Sequence, residues 1–491
     1  MRRSLPADLY RAAQVRELDR QAIENGGIPG YTLMQRAGTA AFGLLRRTWP
    51  AAHRVGIVCG PGNNGGDGYV LARLAHEAGM EVELMQVGDP GKTQGDALTA
   101  REALPRPGPQ PKPFYAGTCE VLVDALLGTG LDRAVDGSYL EAIAQINGSG
   151  VPVLAIDIPS GLNADTGAVM GAAIQAQATI TFIGLKQGLF TGEGPQRCGA
   201  IYFDDLAVPA EIYAAVEPAA IRLELADLKD LLAPRERTGH KGHYGHVLVV
   251  GGDEGYTGAA RLAAEAAGRV GAGLVSVATR AAHAAVLPLA RPELMSRGVE
   301  TPQDLDPLLQ RATAIAIGPG LGQAAWGQAL WNYVLAQEKP LVVDADALNL
   351  LADQPISRLN WVLTPHPGEA ARLLGVSTAE VQTNRFAAVA SLQQRYGGVV
   401  VLKGAGSLIQ GPSGGTSVCT AGNPGMGSGG MGDVLTGVIA GLIAQGLGPP
   451  EAARLGVCLH AEAGDHAARD EGERGLLAAD LMPWLRRLAN L

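Results

Sequence analysis

Three apolar runs in the first half of the chain end in groups that can bind ions or move protons. Val121-Leu122-Val123 runs into Asp124 and on to Gly128-Thr129-Gly130-Leu131-Asp132-Arg133. Val153–Ile156 runs into Asp157 and then Ile158-Pro159-Ser160-Gly161. The third, Val55–Cys59, leads through Gly60-Pro61-Gly62 into Asn63-Asn64-Gly65-Gly66-Asp67-Gly68. A buried strand that ends in an unpaired carboxylate is costly unless a cation or ligand meets it. Asn64, Asp124 and Ser160 can present oxygens to a hard monovalent cation, while the backbone of 128–131 faces a phosphate. Asp157 is then the carboxylate left for general acid–base work. Gly60, Gly62 and Gly65 also match a dinucleotide fingerprint, with Glu81 or Glu83 where a ribose-binding acid is expected. Two asparagines and an aspartate in that loop point to a site with its own polar chemistry. The plainer alternative is a tight turn with solvent-exposed Asn and Asp.

A different pattern occupies the second half. Gly427-Ser428-Gly429-Gly430-Met431-Gly432-Asp433 runs directly into the apolar stretch Val434–Ala444. Glycines at a helix N-terminus let backbone N–H groups converge on an anion, and the helix dipole adds to the attraction. Asp433 at the head of that helix is placed to take a proton from an attacking hydroxyl; simple capping is the alternative. Lys403-Gly404-Ala405-Gly406-Ser407 follows a strand and can cradle a nucleotide. Asp344–Asn349 and Thr364-Pro365-His366-Pro367-Gly368-Glu369 end two more strands, with Glu369 expected to help bind a magnesium nucleotide and His366 to turn towards substrate. A loop histidine satisfied by backbone is the alternative for His366. There is no Walker A motif, since Gly91-Lys92-Thr93 would need glycine where Gln86 stands. His240, His243 and His246 recur at every third residue, but without a partner Cys or an HExxH helix a basic loop over a phosphate is preferred to zinc.

These groups must be held by short apolar strands alternating with amphipathic helices, which is α/β architecture with largely parallel sheets. Strands are predicted at Val55–Cys59, Val82–Val87, Val121–Ala125, Val153–Asp157, Ile180–Ile183 and Ile201–Phe203. The second half adds Val247–Val250, Leu274–Ala278, Ala314–Ile317, Leu341–Asp344, Val362–Thr364 and Val399–Leu402. A helix is predicted from Tyr69 to Ala78. The proline-rich stretch Pro105–Pro113 reads as a surface loop. The domain boundary falls near 215–235, with no internal repeat, because the two halves carry different glycine-rich loops.

Length and composition agree. At 491 residues the chain is long enough for two domains or more; 47% hydrophobic and 18% charged residues mean a globular protein with a sizeable core. A net charge of −9 and 4% aromatics disfavour a nucleic-acid interface. Cys59, Cys119, Cys198, Cys419 and Cys458 are sparse and unpaired in sequence, which fits core thiols in a reducing compartment. No signal peptide or membrane span is recognised, so a cytoplasmic protein is expected.

The set NNGGDG, VDALLGTGLDR and DIPSGLNADTG, with LMQRAG at 33–38, closely resembles the epimerase domain of the NAD(P)H-hydrate repair enzymes. KGHYGHVLVVGG, GYTGAARLAAEAA, GPGLG, DADALN, LTPHPGE, KGAGS and GNPGMGSGGMGD resemble the ADP-dependent NAD(P)H-hydrate dehydratases of the ribokinase-like superfamily. The first resemblance implies a Rossmann-like three-layer αβα domain over 1–220, the second a ribokinase-like αβα domain over 225–491. It further implies that Asn63, Asn64, Gly65, Gly66, Asp67, Gly128, Thr129, Gly130, Leu131, Asp132, Arg133, Ala134 and Asp157 contact the hydrated nucleotide, with potassium on Asn64, Asp124 and Ser160. In the second domain it implies hydrate contacts from Ala259, a glycine of 318–322 (Gly320 or Gly322), His366 and Asp433, and adenine-nucleotide contacts from Lys403, Gly404, Ala405, Gly406, Ser407 and Gly432. Asp157 and Asp433 are the expected catalytic groups, and magnesium is expected to arrive with ADP. The implied activity interconverts the two epimers of NADH or NADPH hydrate and dehydrates the S epimer. Alternatives are a small-molecule kinase in the second half and a non-catalytic binding module in the first. Expected partners are these small molecules and further copies in a homo-oligomer, with no nucleic acid and no membrane.

Overall fold

Strands whose residues are buried on both faces order the layers in each half of the chain. The computed structural model describes residues 5–113 and 119–490, which divide into two compact units, 1–221 and 222–491. The first unit contains β1 (Asp8–Tyr10), β2 (Arg54–Cys59), β3 (Glu81–Gln86), β4 (Lys112–Pro113), β5 (Val121–Ala125), β6 (Val153–Ile156), β7 (Ala178–Phe182), β8 (Leu185–Lys186) and β9 (Ala200–Asp204). Seven of these form one sheet in the order β4-β3-β2-β5-β6-β7-β9, every pair parallel. The chain leaves β2 towards one edge and β5 towards the other. A crevice therefore opens between the carboxyl ends of β2 and β5, where ligands sit in open α/β sheets. β1 pairs parallel with β8, and its Leu9 pairs antiparallel with Ala220 at the start of β10 (Ala220–Leu223).

In the second unit β11 (His246–Val250), β12 (Leu274–Thr279), β13 (Met295–Gly298), β14 (Ala314–Ile317), β15 (Leu341–Val343), β16 (Trp361–Leu363) and β17 (Val399–Leu402) are parallel, in the order β13-β12-β11-β14-β15-β16-β17. β18 (Ser407–Gln410) and β19 (Thr416–Cys419) extend that sheet antiparallel beyond β17. Here the order reverses between β11 and β14, opening a second crevice. All five cysteines are buried and free. Among the described residues no helix is long and apolar enough to cross a membrane.

Three local expectations change, the first being that Lys112–Pro113, at the end of the stretch read as a surface loop, forms β4 on the edge beside β3. The helix expected from Tyr69 begins at Asn63 and runs to Glu77, so the Asn63–Asp67 segment is its first turn rather than a loop. Packing overrides the poor helix propensity of Asn and Gly here. A Cβ on Gly68 would meet Cys59 Sγ at 2.7 Å and Ala125 Cβ at 2.8 Å. The short strands β18 and β19 were not anticipated, because each is four residues long and flanked by glycine turns.

The helix Thr257–Arg269 presents Ala260, Ala263, Ala264 and Ala267, all fully buried, and Met431–Ala444 packs on it with almost every residue buried. Small side chains allow the backbones to approach: a Cβ on Gly437 would stand 1.9 Å from Ala263 O. Gly437→Ala should therefore lower the unfolding free energy of the second unit by about 1–3 kcal/mol through overpacking, read from its denaturant midpoint. An unchanged midpoint would mean that the two helices are not this close.

Candidate functional site

In the first unit Gly65 sets the geometry. A Cβ there would lie 1.9 Å from Gly60 O, so only glycine lets the first helical turn pack on the end of β2. That turn carries Asn64 against the segment after β5. Asn64 Nδ2 donates to Leu127 O at 3.1 Å, while its Oδ1 is buried and has no hydrogen-bond partner. Asp124, wholly buried at the end of β5, is not unpaired as the sequence suggested. It accepts from Ser160 N (2.8 Å), Ser160 Oγ (2.6 Å) and Leu126 N (3.2 Å). Burial still pushes its carboxyl up to about 6 against those bonds. An orphaned amide oxygen and a buried carboxylate joined to a serine hydroxyl are a donor set that fits a hard monovalent cation.

Above this cluster lies a cavity of 630 Å³. Asn63, Asn64, Asp67, Asp157 and the whole turn Gly128–Arg133 line it. Gly65 and Gly66 are buried behind its wall, and Ala134 is exposed outside the lining. Asp157 differs from expectation. It is not free: its Oδ1 is ion-paired with Lys186 Nζ, and Lys186 is 1% exposed. Asp157 follows β6 in a left-handed backbone with φ of 67°, which turns its side chain towards that lysine. The lysine comes from β8, a two-residue strand that sequence patterning could not separate from the loop around it.

Two further carboxyls face the same wall. Burial pushes Asp19 of the Ala12–Glu24 helix up to about 6. Burial first, then the charges of Asp157 and Asp19, hold Asp67 well above the usual carboxylate range. Asp19 went unrecognised because nothing in a lone helical aspartate marks it in sequence.

In the second unit Met431–Ala444 begins after Gly430, whose φ is 90° and which supplies no side-chain cap. The first-turn N–H groups therefore lack side-chain acceptors, as an anion site requires. Asp433 sits in that turn; burial, then the charge of Asp344, pushes its carboxyl up to about 7. Asp344, at the end of β15, accepts from Lys403 Nζ (2.7 Å) and Thr436 Oγ1 (2.8 Å). Burial opposes its charge, but Lys403 prevails and holds the carboxyl below its usual range. The Lys403 ammonium is thus engaged inside the site, next to Gly432, where a Cβ would stand 3.1 Å from it.

The loop 403–407 is braced from behind. Arg385, 1% exposed, donates from Nη2 to Leu402 O and Lys403 O, each at 3.2 Å, and reaches Gly406 O at 3.5 Å. Ser407 Oγ closes the turn on Gly404 O at 3.0 Å. Gly320 is brought beside Ala259: a Cβ added to it would lie 3.4 Å from Ala259 Cβ. Gly322 N donates to Asp346 Oδ2 at 2.9 Å, tying the glycine loop to the residues after β15.

Glu369 also caps a helix. Its Oε2 accepts from His366 N at 2.8 Å while His366 Nδ1 accepts from Gly368 N at 2.9 Å, a reciprocal cap on the helix Pro367–Leu374. One ring nitrogen of His366 is therefore used by backbone, and Nε2 lies 3.5 Å from Glu369 Oε1. The histidine cluster also has local partners. His240 Nδ1 accepts from Gly242 N at 3.1 Å, and buried His246 bonds Ser276 Oγ at 2.7 Å. Among the described residues no group of three His, Cys, Asp or Glu is placed to hold a metal.

Comparison with known proteins places both halves. Residues 247–487 match a family model described as NAD(P)H-hydrate dehydratase, and residues 30–188 match the YjeF-related protein N-terminus. The bifunctional NAD(P)H-hydrate repair enzyme Nnr of Coxiella burnetii is 51% identical over 488 residues, covering 98% of this chain and 99% of that one. The protein of the same name from Escherichia coli is 45% identical, covering 99% and 95%. Among solved structures, a ribokinase-like superfamily protein from Enterococcus faecalis is 31% identical with a TM-score of 0.51, covering 55% of this chain and 95% of its own. The mixed α/β fold, with largely parallel sheets, is the one expected.

The brace behind the 403–407 loop yields a structural prediction. Arg385→Met leaves the buried carbonyls it serves without that donor, so the loop should open more readily. Amide exchange over 404–407 should accelerate roughly tenfold or more. Unchanged exchange there would show that Arg385 does not hold the loop.

Proposed function

Given that the chain belongs to the bifunctional NAD(P)H-hydrate repair family, an epimerase and a dehydratase in one polypeptide, we propose how its two halves divide the work. Residues 1–220 interconvert the R and S hydrates of NADH and NADPH. Residues 225–491 return the S epimer to NADH or NADPH with ADP, taken up as its magnesium complex, and release AMP and phosphate. The observation that carries the second assignment is Asp433, a carboxyl raised to about 7 in the same helical turn as an uncapped glycine-rich anion site.

In the dehydratase, Asp433 takes the hydroxyl proton as that oxygen bonds the β-phosphorus of ADP and AMP departs. Backbone amides of the Gly429–Gly432 segment stabilise the charge on the transferred group. The C–O bond then breaks with its electrons leaving on phosphate, and loss of a proton from the adjacent carbon restores the ring double bond. Phosphate is a far better leaving group than hydroxide at neutral pH. Ala259, Gly320 or Gly322, and His366 hold the hydrate; the 403–407 loop and Gly432 hold the nucleotide.

In the epimerase the C–O bond must break and re-form on the opposite face. The neighbouring ring nitrogen supplies the electron pair that lets the hydroxyl depart as water once a carboxyl has protonated it. Asp67, kept protonated by burial, suits that donation. Water returning to the other face gives its proton to Asp157. Asn64, Asp124 and Ser160 would hold potassium, which supplies positive charge behind the turn that receives the hydrate.

Assays of variants on pure R and pure S hydrate separate the halves. Asp433→Asn keeps the shape but cannot accept a proton, so dehydration should fall ~10²–10⁴-fold with nucleotide binding near normal. Asp157→Asn should slow epimerisation and leave conversion of pure S hydrate intact. Because Asp433 must be ionised to act, wild-type dehydratase kcat/KM should fall as pH drops through about 7. Dehydration by Asp433→Asn at close to the wild-type rate would overturn this mechanism, and accumulation of a stable phosphorylated hydrate would make the second half a kinase.

The cation has a readout apart from activity. In protein dialysed free of potassium, KCl should raise the melting temperature of the first unit above that in equal tetramethylammonium chloride. Asp124→Ala should erase the difference. Equal melting of the wild type in both salts would count against the site.

A further inference from the structure

Lys186 is the cationic group buried most deeply against the cavity of the first unit, and no role in the reaction follows from its sequence neighbourhood. Its ammonium has three hydrogens and three acceptors. They are Asp157 Oδ1, Thr181 Oγ1 at 2.9 Å and Phe182 O at 3.0 Å. Two left-handed residues bring these partners together. Asp157 has φ of 67°, and Ile183, between Phe182 and Lys186, has φ of 61°. A β-branched residue in that region is disfavoured by about 1–3 kcal/mol and persists only where surrounding contacts hold it. The turn at Ile183 folds the chain back, so that Lys186 returns to the strand end it has just left.

The two oxygens of Asp157 have different surroundings. Oδ1 meets Lys186 and lies 3.5 Å from Thr181 Oγ1. Oδ2 faces the turn across the cavity, where a Cβ on Gly128 would come within 3.7 Å of it. Asp19 and Asp67 also line this cavity and interact with the Lys186 charge. One deeply buried cation thus stands among three carboxyls, and the structure joins it directly to only one of them.

We propose that Lys186 is the positioning residue of epimerisation: it clamps Oδ1 of Asp157 so that Oδ2, the oxygen turned to the cavity, exchanges the proton with the hydrate. This rests on the epimerase reading of the first unit and adds the residue that aims its carboxylate. Lys186 is not a catalytic residue, because its donors are engaged by protein and its side chain is 1% exposed.

The test uses the full chain with pure R hydrate, magnesium and ADP, so that each S hydrate formed is drawn off as NADH. Lys186→Met should lower kcat for the R hydrate about 10²-fold, the usual loss when a reacting group is misplaced, with KM within about threefold. Its rate on pure S hydrate should equal the wild type's. Lys186→Met combined with Asp157→Asn should be no slower than Asp157→Asn alone, because the lysine acts only through that aspartate. Multiplying losses in the double variant, or a Lys186→Met kcat within threefold of wild type, would overturn the proposal. If Lys186→Met lowers the melting temperature of the first unit below the assay temperature, Thr181→Val decides instead. Removing that prong should cut kcat roughly tenfold at unchanged KM, and no change in kcat would overturn the proposal. Failure of the wild-type protein to consume R hydrate would sink the epimerase reading itself, a result distinct from either variant outcome.

Discussion

A carboxylate at the end of a fully buried parallel strand has to be compensated where it stands, and both sites are organised around that requirement. Three strand ends meet it in three ways. Asp124 draws two bonds from Ser160 and one from Leu126, and remains short of positive charge. Asp157 draws a lysine from β8. Asp344 draws Lys403 from the end of β17 together with Thr436 from the helix that carries Asp433. Each compensation reaches across sequence to a segment that follows another strand or belongs to another element, and so fixes which elements converge on the crevice. The chemistry is in this sense a by-product of solving a solvation problem.

The close approach of backbone is the second constraint, and it explains why glycine is needed at a few positions rather than generally. Gly65 lets the Asn63–Glu77 helix rest on Gly60 O, which delivers Asn64 beneath the turn after β5. Gly437 lets the Asp433 helix rest on Ala263 O, which holds the head of that helix at the end of the sheet. A methyl group at either position would displace the Asn64 or the Asp433 side chain carried by the same helix.

Much of this was legible in the residues. Apolar runs ending in Asp124, Asp157 and Asp344 mark strand ends, since a charge can follow a buried strand only where the strand stops. The glycine run before Asp433 likewise marks the start of a helix without a side-chain cap. What was not legible depends on tertiary return. Lys186, Asp19 and Arg385 carry no motif of their own and acquire meaning only when another segment arrives. His366-Pro367-Gly368-Glu369 fits two patterns, a ligand pair and a reciprocal helix cap, and only the packed helix start reveals the cap. The Asn63 turn was taken for a loop because its propensity is poor, although the strand it packs on leaves it no other shape.

The same compensation places the lysine differently around the two carboxyls proposed to react. Asp344 and Asp433 share one lysine. Lys403 bonds Asp344 directly, so Asp344 keeps its charge and that charge bears on Asp433. The buried Asp433 is left with a carboxyl near 7, where a general base works best at neutral pH. In the first unit the lysine bonds the reacting carboxyl itself, and the neighbours without it, Asp67 and Asp19, are the ones that burial drives upward. In each unit one lysine bonds a single carboxylate directly, and the carboxyls left to burial are the ones pushed upward.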